Sequence, residues 1–396
     1  MSQVANRFKV HMKEMQSREE ALNAEGIKVF RLSTTERQEF KECRRKWDFS
    51  SYSRQALEPD RPALALWFGT GVHYVLEQFY MDEQLNYGTP EASVFSITDC
   101  WNEWVDLEIA KVEKSQKGLW PEQIQELRDS VALGEKMLLG YINWAAKEDH
   151  HGGVPFKQIL FTEEEFAVPL KSEDGEYYRF EDAKGQKWEL WLVGRIDLII
   201  QDTDNRIWVL DHKTSKDKLD RELLTLDDQM TMYIWAIQQI LEVQIAGCLY
   251  NVLRKKVPSI PRVLKAGGLS KDKSIDTTYD VYLSAIYEND LDPADYTEIL
   301  NHLSEKNSQF YERVAVKRNQ HEIAMGGRMV LMEGIDMLNA PFIYPNPTWD
   351  CGWKCDFKQL CLATNRNDDV DYLKKTLYRT RVPEEKSVYA RESTVE

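Results

Sequence analysis

Residues 191–215 read "WLVGRIDLIIQDTDNRIWVLDHKTS". Apolar runs lie on either side of "TDN", a short polar turn, so the stretch predicts a β-hairpin. Side chains alternate across a strand. Val193, Arg195, Asp197 and Ile199 are therefore expected on one face of the first strand, and Val209, Asp211 and Lys213 on one face of the second. Asp211 and Lys213 then project together at the end of an otherwise apolar strand, with Asp197 on its neighbour. Two carboxylates and an ammonium are costly at the rim of a sheet unless they bind something. Oxygen ligands there suit Mg2+ or Mn2+, which take few protein ligands and keep waters or substrate oxygens. A lone D-x-K is usually no more than a surface ion pair, so its neighbours decide. Gly194 precedes Asp197 by three residues, where a small residue lets backbone approach. Gln229 and Tyr233 are spaced i, i+4 on the next predicted helix. His73 and Glu77 share that spacing on a helix that "GTG" at 69–71 is expected to open.

Outward from the hairpin, residues 1–30 read as a polar amphipathic arm or helix. Residues 32–47 have helix-start chemistry, with Ser33, Thr34 and Thr35 as N-cap candidates and Glu36 and Glu39 in the first turn. Residues 97–150 read as helices, with Trp101, Trp104 and Leu107 at helical spacing, before a break at "HHGG", 150–153. Residues 159–170 and 246–256 are strand-like. Residues 224–243 read as one helix with Leu226, Met230, Tyr233, Ile237 and Leu241 on a stripe, and further helices are expected from about 290 to 338. The expected organisation is an N-terminal arm, 1–30; helices carrying Cys43 and His73, 31–90; a helical insertion, 91–153; an α/β core, 154–256; a basic loop, 257–275; C-terminal helices, 276–338; a cysteine segment, 339–365; and a charged, loosely held tail, 366–396.

The ordered set "GRIDLII", "VLDHKTS" and "QMTMYIWAI" resembles the core of the PD-(D/E)XK nucleases. It looks most like their RecB-like branch, which includes CRISPR-adaptation and phage exonucleases. That pattern runs G-x-x-x-H, G-x-x-D, (D/E)-x-K and Q-x-x-x-Y. Gly69 with His73, Gly194 with Asp197, Asp211 with Lys213, and Gln229 with Tyr233 supply it in order. The resemblance implies an α/β fold with a restriction-endonuclease-like core: a mixed central sheet flanked by helices, a helical insertion, and a cysteine-ligated cluster joining the N- and C-terminal segments. It implies that His73, Asp197 and Asp211 hold Mg2+ or Mn2+, with the His212 carbonyl as a further ligand. Lys213 would orient or deprotonate the attacking water and stabilise phosphorane charge. Gln229 and Tyr233 would position the scissile strand or the lysine, although Tyr233 also fits core packing. Glu77, Glu163 and Glu165 read as surface charges. The implied activity is a metal-dependent DNA exonuclease hydrolysing phosphodiester bonds from ends, with a single-strand preference, in phage or bacterial recombination, repair or degradation. The alternative is an iron–sulfur DNA-binding subunit of a repair complex with little or no catalysis; intact Asp197, Asp211 and Lys213 argue against it.

Three of the six cysteines fall in "CGWKCDFKQLC", 351–361. Cys351, Cys355 and Cys361 need a fourth thiolate to hold Zn2+ or a [4Fe–4S] cluster. Cys248 lies among apolar strand residues, where a cysteine acts as a small hydrophobe, and Cys100 lies in the insertion. Cys43, in "FKECRRKW", has three basic residues beside it that would offset thiolate charge. The iron–sulfur members of the resembled family place one cysteine far upstream and three near the C-terminus as C-x2-C-x5-C. Here the x5 gap and Phe357 are kept, while the first gap is x3 and Arg44 stands where those members have proline. The resemblance implies a [4Fe–4S] cluster on Cys43, Cys351, Cys355 and Cys361, with Zn2+ as the alternative.

Net charge is −15, from 51 Lys and Arg against 66 Asp and Glu, which on its face speaks against nucleic acid as a partner. The charge is unevenly placed: "RKKVPSIPRVLKAGGLSKDK", 254–273, carries seven basic residues and one acid. Arg254, Lys255, Lys256, Arg262 and Lys265 are the candidate contacts to a DNA backbone. There is no GxxxxGK[ST] motif for an ATPase. No apolar run reaches membrane-spanning length, and the first residues lack the apolar stretch of a signal peptide. The expectation is a cytoplasmic protein of a bacterium or phage-infected cell, with DNA as partner and room for a homo-oligomer or for recombination and repair proteins.

Overall fold

The computed structural model describes residues 3–60, 64–86, 96–114, 121–151, 153–182, 184–217, 220–305, 310–340 and 342–381. Helix α1 (Gln3–Ala24) leads through Gly26, at φ +74°, into β1 (Ile27–Leu32). Helices α2 (Thr34–Glu42) and α3 (Arg44–Ser50) meet at Cys43, and the Ser33 side chain caps α2 by accepting from the Glu36 N–H. Then come β2 (Leu57–Pro59) and three helices, α4 (Leu64–Asn86), α5 (Ile97–Lys114) and α6 (Pro121–His151). Strands β3 (Phe156–Pro169), β4 (Arg179–Glu181), β5 (Lys187–Asp202) and β6 (Ile207–Ser215) are followed by α7 (Arg221–Leu226), α8 (Asp228–Leu241) and β7 (Ile245–Arg254). The chain closes with α9 (Tyr279–Glu288), α10 (Thr297–Glu305), β8 (Tyr311–Val316), α11 (Gln320–Leu338), α12 (Lys358–Arg366), α13 (Val370–Leu377) and β9 (Tyr378–Thr380).

Strand β5 is the hub of a seven-stranded mixed sheet. Antiparallel β3 and β4 occupy one of its edges. The other edge is shared: β1 runs parallel to residues 187–192, and β6 pairs antiparallel with 198–201. Residues 193–197 have no strand partner on that edge among the described residues, so β5 and β6 part there. Beyond the fork β6 continues parallel to β7, with α8 as the crossover helix that a parallel pair requires, and β8 closes the sheet antiparallel to β7.

Two cores sandwich the sheet. One joins α8 and α11 to Ile196, Ile199 and Val209; the other joins α4, α5 and α6 to Leu198, Ile200 and Leu210. Ile196 and Ile199 share a core while Leu198 faces the other, so the strict alternation expected through Asp197 does not hold. The strand changes phase at that residue. Val193 and Ile199, expected on one face, pack in different clusters, Val193 beneath α1 with Leu22 and Trp191.

The hairpin, the mixed sheet and the flanking helices agree with expectation, and several details differ. The boundary expected at residue 30 falls inside β1, so the N-terminal segment is a structural part of the sheet. "GTG" does not open a helix: it lies within α4, where a Cβ at Gly71 would overlap the Trp104 ring at 2.4 Å, so the glycine lets α5 approach. The helix expected over 224–243 breaks at Asp227, which caps α8, and Leu226 is 77% exposed instead of lining a buried stripe. The region 290–338 is not all helical, because "YERVAV" forms β8. Residues 257–275 return through a Val263–Leu269 bridge onto a satellite core of Leu269, Tyr282, Tyr296 and Ile299. Within the tail, α13 and β9 are ordered, β9 pairing with β2; residues 382–396 lie outside the described residues, as do 91–95, 115–120 and 152 of the expected insertion. No described helix is long and apolar enough to cross a membrane.

Candidate active site

The fork between β5 and β6 collects the ionisable groups. Asp197 sits on the unpaired stretch of β5, and its Oδ2 accepts the His212 backbone N–H at 2.7 Å, standing in for the ladder bond that the fork removes. His73 comes in from α4, its Nδ1 3.4 Å from Asp197 Oδ2 and 3.9 Å from Glu163 Oε1. Glu163 stands across from Asp197, because Thr162 pairs with Leu198 and Glu164 with Ile196. Its backbone is left-handed, φ +49°, in the middle of a strand. Side chains other than glycine rarely adopt that conformation, and it costs of order 1 kcal/mol or more.

Ligand atoms of His73, Glu163 and Asp197 all lie within 4.8 Å of one another. Glu163 Oε1 is buried without a hydrogen-bond partner. A sealed carboxylate oxygen beside a second carboxylate and an imidazole is a donor set that fits a small divalent cation. Burial pushes Glu163 up to about 7, partly countered by the neighbouring His73. Burial would also raise Asp197, but the His73 charge and hydrogen bond, with His212, hold it down at about 2. For His73 the desolvation that disfavours charge is outweighed by Asp197, and its pKa lies well above the usual value.

Asp211 and Lys213 form the second half of the site. Lys213 Nζ lies 2.9 Å from Asp211 Oδ2 and 3.4 Å from Gln229 Oε1. Gln229 Nε2 in turn donates to the Tyr233 hydroxyl at 3.4 Å. The α8 N-terminus that carries Gln229 is fixed by Asp227, whose side chain accepts from the Gln229 N–H at 2.9 Å and from the Tyr250 hydroxyl at 3.1 Å. Tyr233 is also buried in the core, edge-on to Phe166. Gly194 makes that contact possible: a Cβ there would lie 2.7 Å from Phe166 and 3.2 Å from Tyr233. Burial raises Asp211 to about 6, against the pull of Lys213. Burial would lower Lys213, but Asp211 more than offsets it and the lysine is held cationic.

The chain belongs to the PD-(D/E)XK nuclease superfamily. The model of that superfamily matches residues 31–362, and the four motif pairs lie inside the match. No curated protein matches. A solved structure described as "Crystal structure of SSO0001" is similar at 11% identity, over 76% of this chain and 97% of that one, with a TM-score of 0.26, too low to carry an argument. Membership implies a nuclease hydrolysing phosphodiester bonds of DNA, and nucleases of this superfamily typically use Mg2+ or Mn2+.

Against the sequence expectations, the structure brings Asp197, Asp211, Lys213, Gln229 and Tyr233 together around one fork. Of the three expected metal ligands, His73 and Asp197 fall in one group with Glu163. The tight group is His73, Glu163 and Asp197, with Asp211 engaged by Lys213. Glu163, read as a surface charge, is inside the site, and its signal was three consecutive glutamates in the apolar strand "ILFTEEEFAVPL". Glu165 is an ion-pair partner of Arg195 at 2.9 Å. His212 contributes its backbone N–H to Asp197, and its ring is buried. Of the basic residues, Arg254 and Lys256 both pair with Asp276. Lys255 reaches over the Phe68 ring, its pKa lowered by burial and by Lys216. Arg262 and Lys265 are exposed.

The cysteine segment forms a separate module. Cys43 Sγ accepts from the Asn346 N–H at 3.3 Å, and Arg45 approaches Cys361 Sγ at 3.7 Å. Cys355 is raised chiefly by burial and also by the nearby Cys351 and Cys43. Cys43 is thus beside the C-terminal cysteines, whereas Cys100 and Cys248 are buried elsewhere.

Proposed function

We propose that the protein is a metal-dependent DNA exonuclease whose site is the β5–β6 fork. The observation that carries the reading is the convergence of His73, Glu163 and Asp197 beside the Asp211–Lys213 pair. His73, Glu163 and Asp197 would hold the divalent ion, with Asp211 at its margin. When bound, the ion lowers the pKa of a water and polarises the scissile phosphate. Lys213, held cationic by Asp211, stabilises the charge that develops on the phosphorane, and its raised pKa suits that role better than proton abstraction. Gln229 fixes the ammonium from the other side, and Tyr233 fixes Gln229. Action from ends and a single-strand preference follow from the resemblance to RecB-like exonucleases. The test incubates internally labelled linear and closed circular DNA with Mn2+, beside Lys213→Ala. Loss of label from linear strands alone, abolished in the variant, is expected; equal degradation by both proteins would overturn the reading.

The four cysteines Cys43, Cys351, Cys355 and Cys361 are proposed to hold a [4Fe–4S] cluster. One cysteine far upstream and three near the C-terminus, the arrangement of the resembled iron–sulfur members, supports it over zinc, whose ligands usually pair locally. Anaerobic protein should contain iron and acid-labile sulfide. Colourless protein with stoichiometric zinc would refute the cluster.

A further inference from the structure

Behind the fork lies a chain of buried polar groups that the proposed chemistry does not use. The His212 imidazole is stacked on Tyr80 at 5.7 Å and 18°, and meets His73 edge-on at 5.8 Å and 85°. Its Nδ1 lies 2.7 Å from Asn251 Nδ2. The same amide nitrogen donates to the Tyr141 hydroxyl at 2.7 Å, and Asn251 Oδ1 accepts from Arg313 at 3.4 Å. The Tyr141 and Tyr80 hydroxyls share a hydrogen bond of 2.6 Å, and Tyr80 donates to Asp149 at 3.0 Å. Asp149 is the ion-pair partner of Arg313. Five elements, α4, α6, β6, β7 and β8, are joined by these bonds.

The hydrogen-bond inventory fixes the direction of each link. Arginine only donates, so Arg313 sets which end of the Asn251 amide is oxygen. An amide nitrogen has two hydrogens and accepts nothing. One goes to Tyr141 and the other to His212, so His212 Nδ1 must accept and the ring proton sits on Nε2. A ring held this way cannot turn. It pins the β6 backbone, whose N–H reaches Asp197, and its edge rests against His73, a second member of the tight group.

We propose that Asn251 is a positioning residue for the metal site: by locking His212 as the Nε2–H tautomer it orients Asp197 and His73, and so sets the affinity for a divalent ion. This rests on the reading of His73, Glu163 and Asp197 as metal ligands. Partners one step removed from a metal ligand typically control affinity by about 10- to 100-fold. A polar network serving the fold alone would change stability and leave both tautomer and affinity untouched.

The experiment uses the full chain. Proton–nitrogen correlation of 15N-histidine-labelled wild type should show His212 with bare Nδ1 and protonated Nε2. Mn2+ binding, followed by the free-ion electron paramagnetic resonance signal, should weaken by about 10-fold or more in Asn251→Leu. It should weaken less in the near-isosteric Tyr141→Phe, with the KM for DNA unchanged in both. An Nδ1–H or doubly protonated His212 in wild type, or unaltered Mn2+ affinity in folded Asn251→Leu, overturns the inference. Should that variant not fold, the wild-type tautomer and Tyr141→Phe decide it. Wild type that binds no Mn2+ removes the inference and the metal reading together. Mn2+ binding with the expected tautomer but no DNA cleavage removes only the cleavage reading.

Discussion

The β5–β6 fork and the cysteine module are both places where remote parts of the chain meet, and they are held by opposite means. The fork is cut into the middle of the sheet, between two large cores, and its charges are positioned by largely buried bonds from several elements. The module rests on five buried side chains, Phe49, Leu57, Phe357, Leu360 and Tyr378, and on a ribbon of three paired residues between β2 and β9. A core that small does little against the entropy of ordering the segment it holds. Rigid scaffolding can afford a strained, charged site, whereas a thin module needs a covalent or metal staple.

The largest expected effect lies at the fork. Asp197→Asn and Lys213→Ala should each lower cleavage about 10³-fold, measured on labelled DNA, while the melting temperature changes little because the cores are untouched. Parallel losses of fold and activity would erase the distinction between the two regions. Next is the module. Cys43→Ser should remove the iron and expose residues 342–381 to limited proteolysis, leaving the sheet resistant; Cys248→Ser should keep its iron. Proteolysis that spreads into β5 and β6 would mean that the sheet leans on the module.

Glu163→Gly sharpens the comparison within the fork itself. Removing the carboxylate should weaken Mn2+ binding about 10-fold or more, read by titration. Releasing the left-handed backbone should raise metal-free stability by about 1 kcal/mol, read by urea denaturation. The smallest effect lies in the basic loop. Arg262→Ala with Lys265→Ala should reduce the salt slope of single-strand binding by about 1.4, at roughly 0.7 per phosphate contact. Arg254→Ala should instead lower stability, since its partner is Asp276.

Local chemistry was legible in the sequence, and long-range register was not. Asp211 and Lys213 could be placed because two residues on one strand need only the period of that strand. Asp197 was found as well, although the phase change at its position defeats simple alternation. Glu163 depends on the pairing of β3 with β5 and on a backbone conformation that no glycine announces. Strand β1, six residues behind a polar helix, and β8, six residues among helices, are stabilised by partners far away in sequence. Cys43 could be singled out because its basic neighbours are adjacent in sequence, whereas nothing local singled out Asn251, although a lone amide in "CLYNVLR" is an unusual resident of a buried strand.

The bond from Asn346 to Cys43 spans 303 residues. It makes the polypeptide between them a closed circuit that contains every strand of the main sheet except β1. A single peptide cleavage on that circuit would therefore yield two pieces that still migrate as one particle under native conditions and separate only in denaturant. By the same logic, new chain ends opened within it leave the junction of the old ends intact.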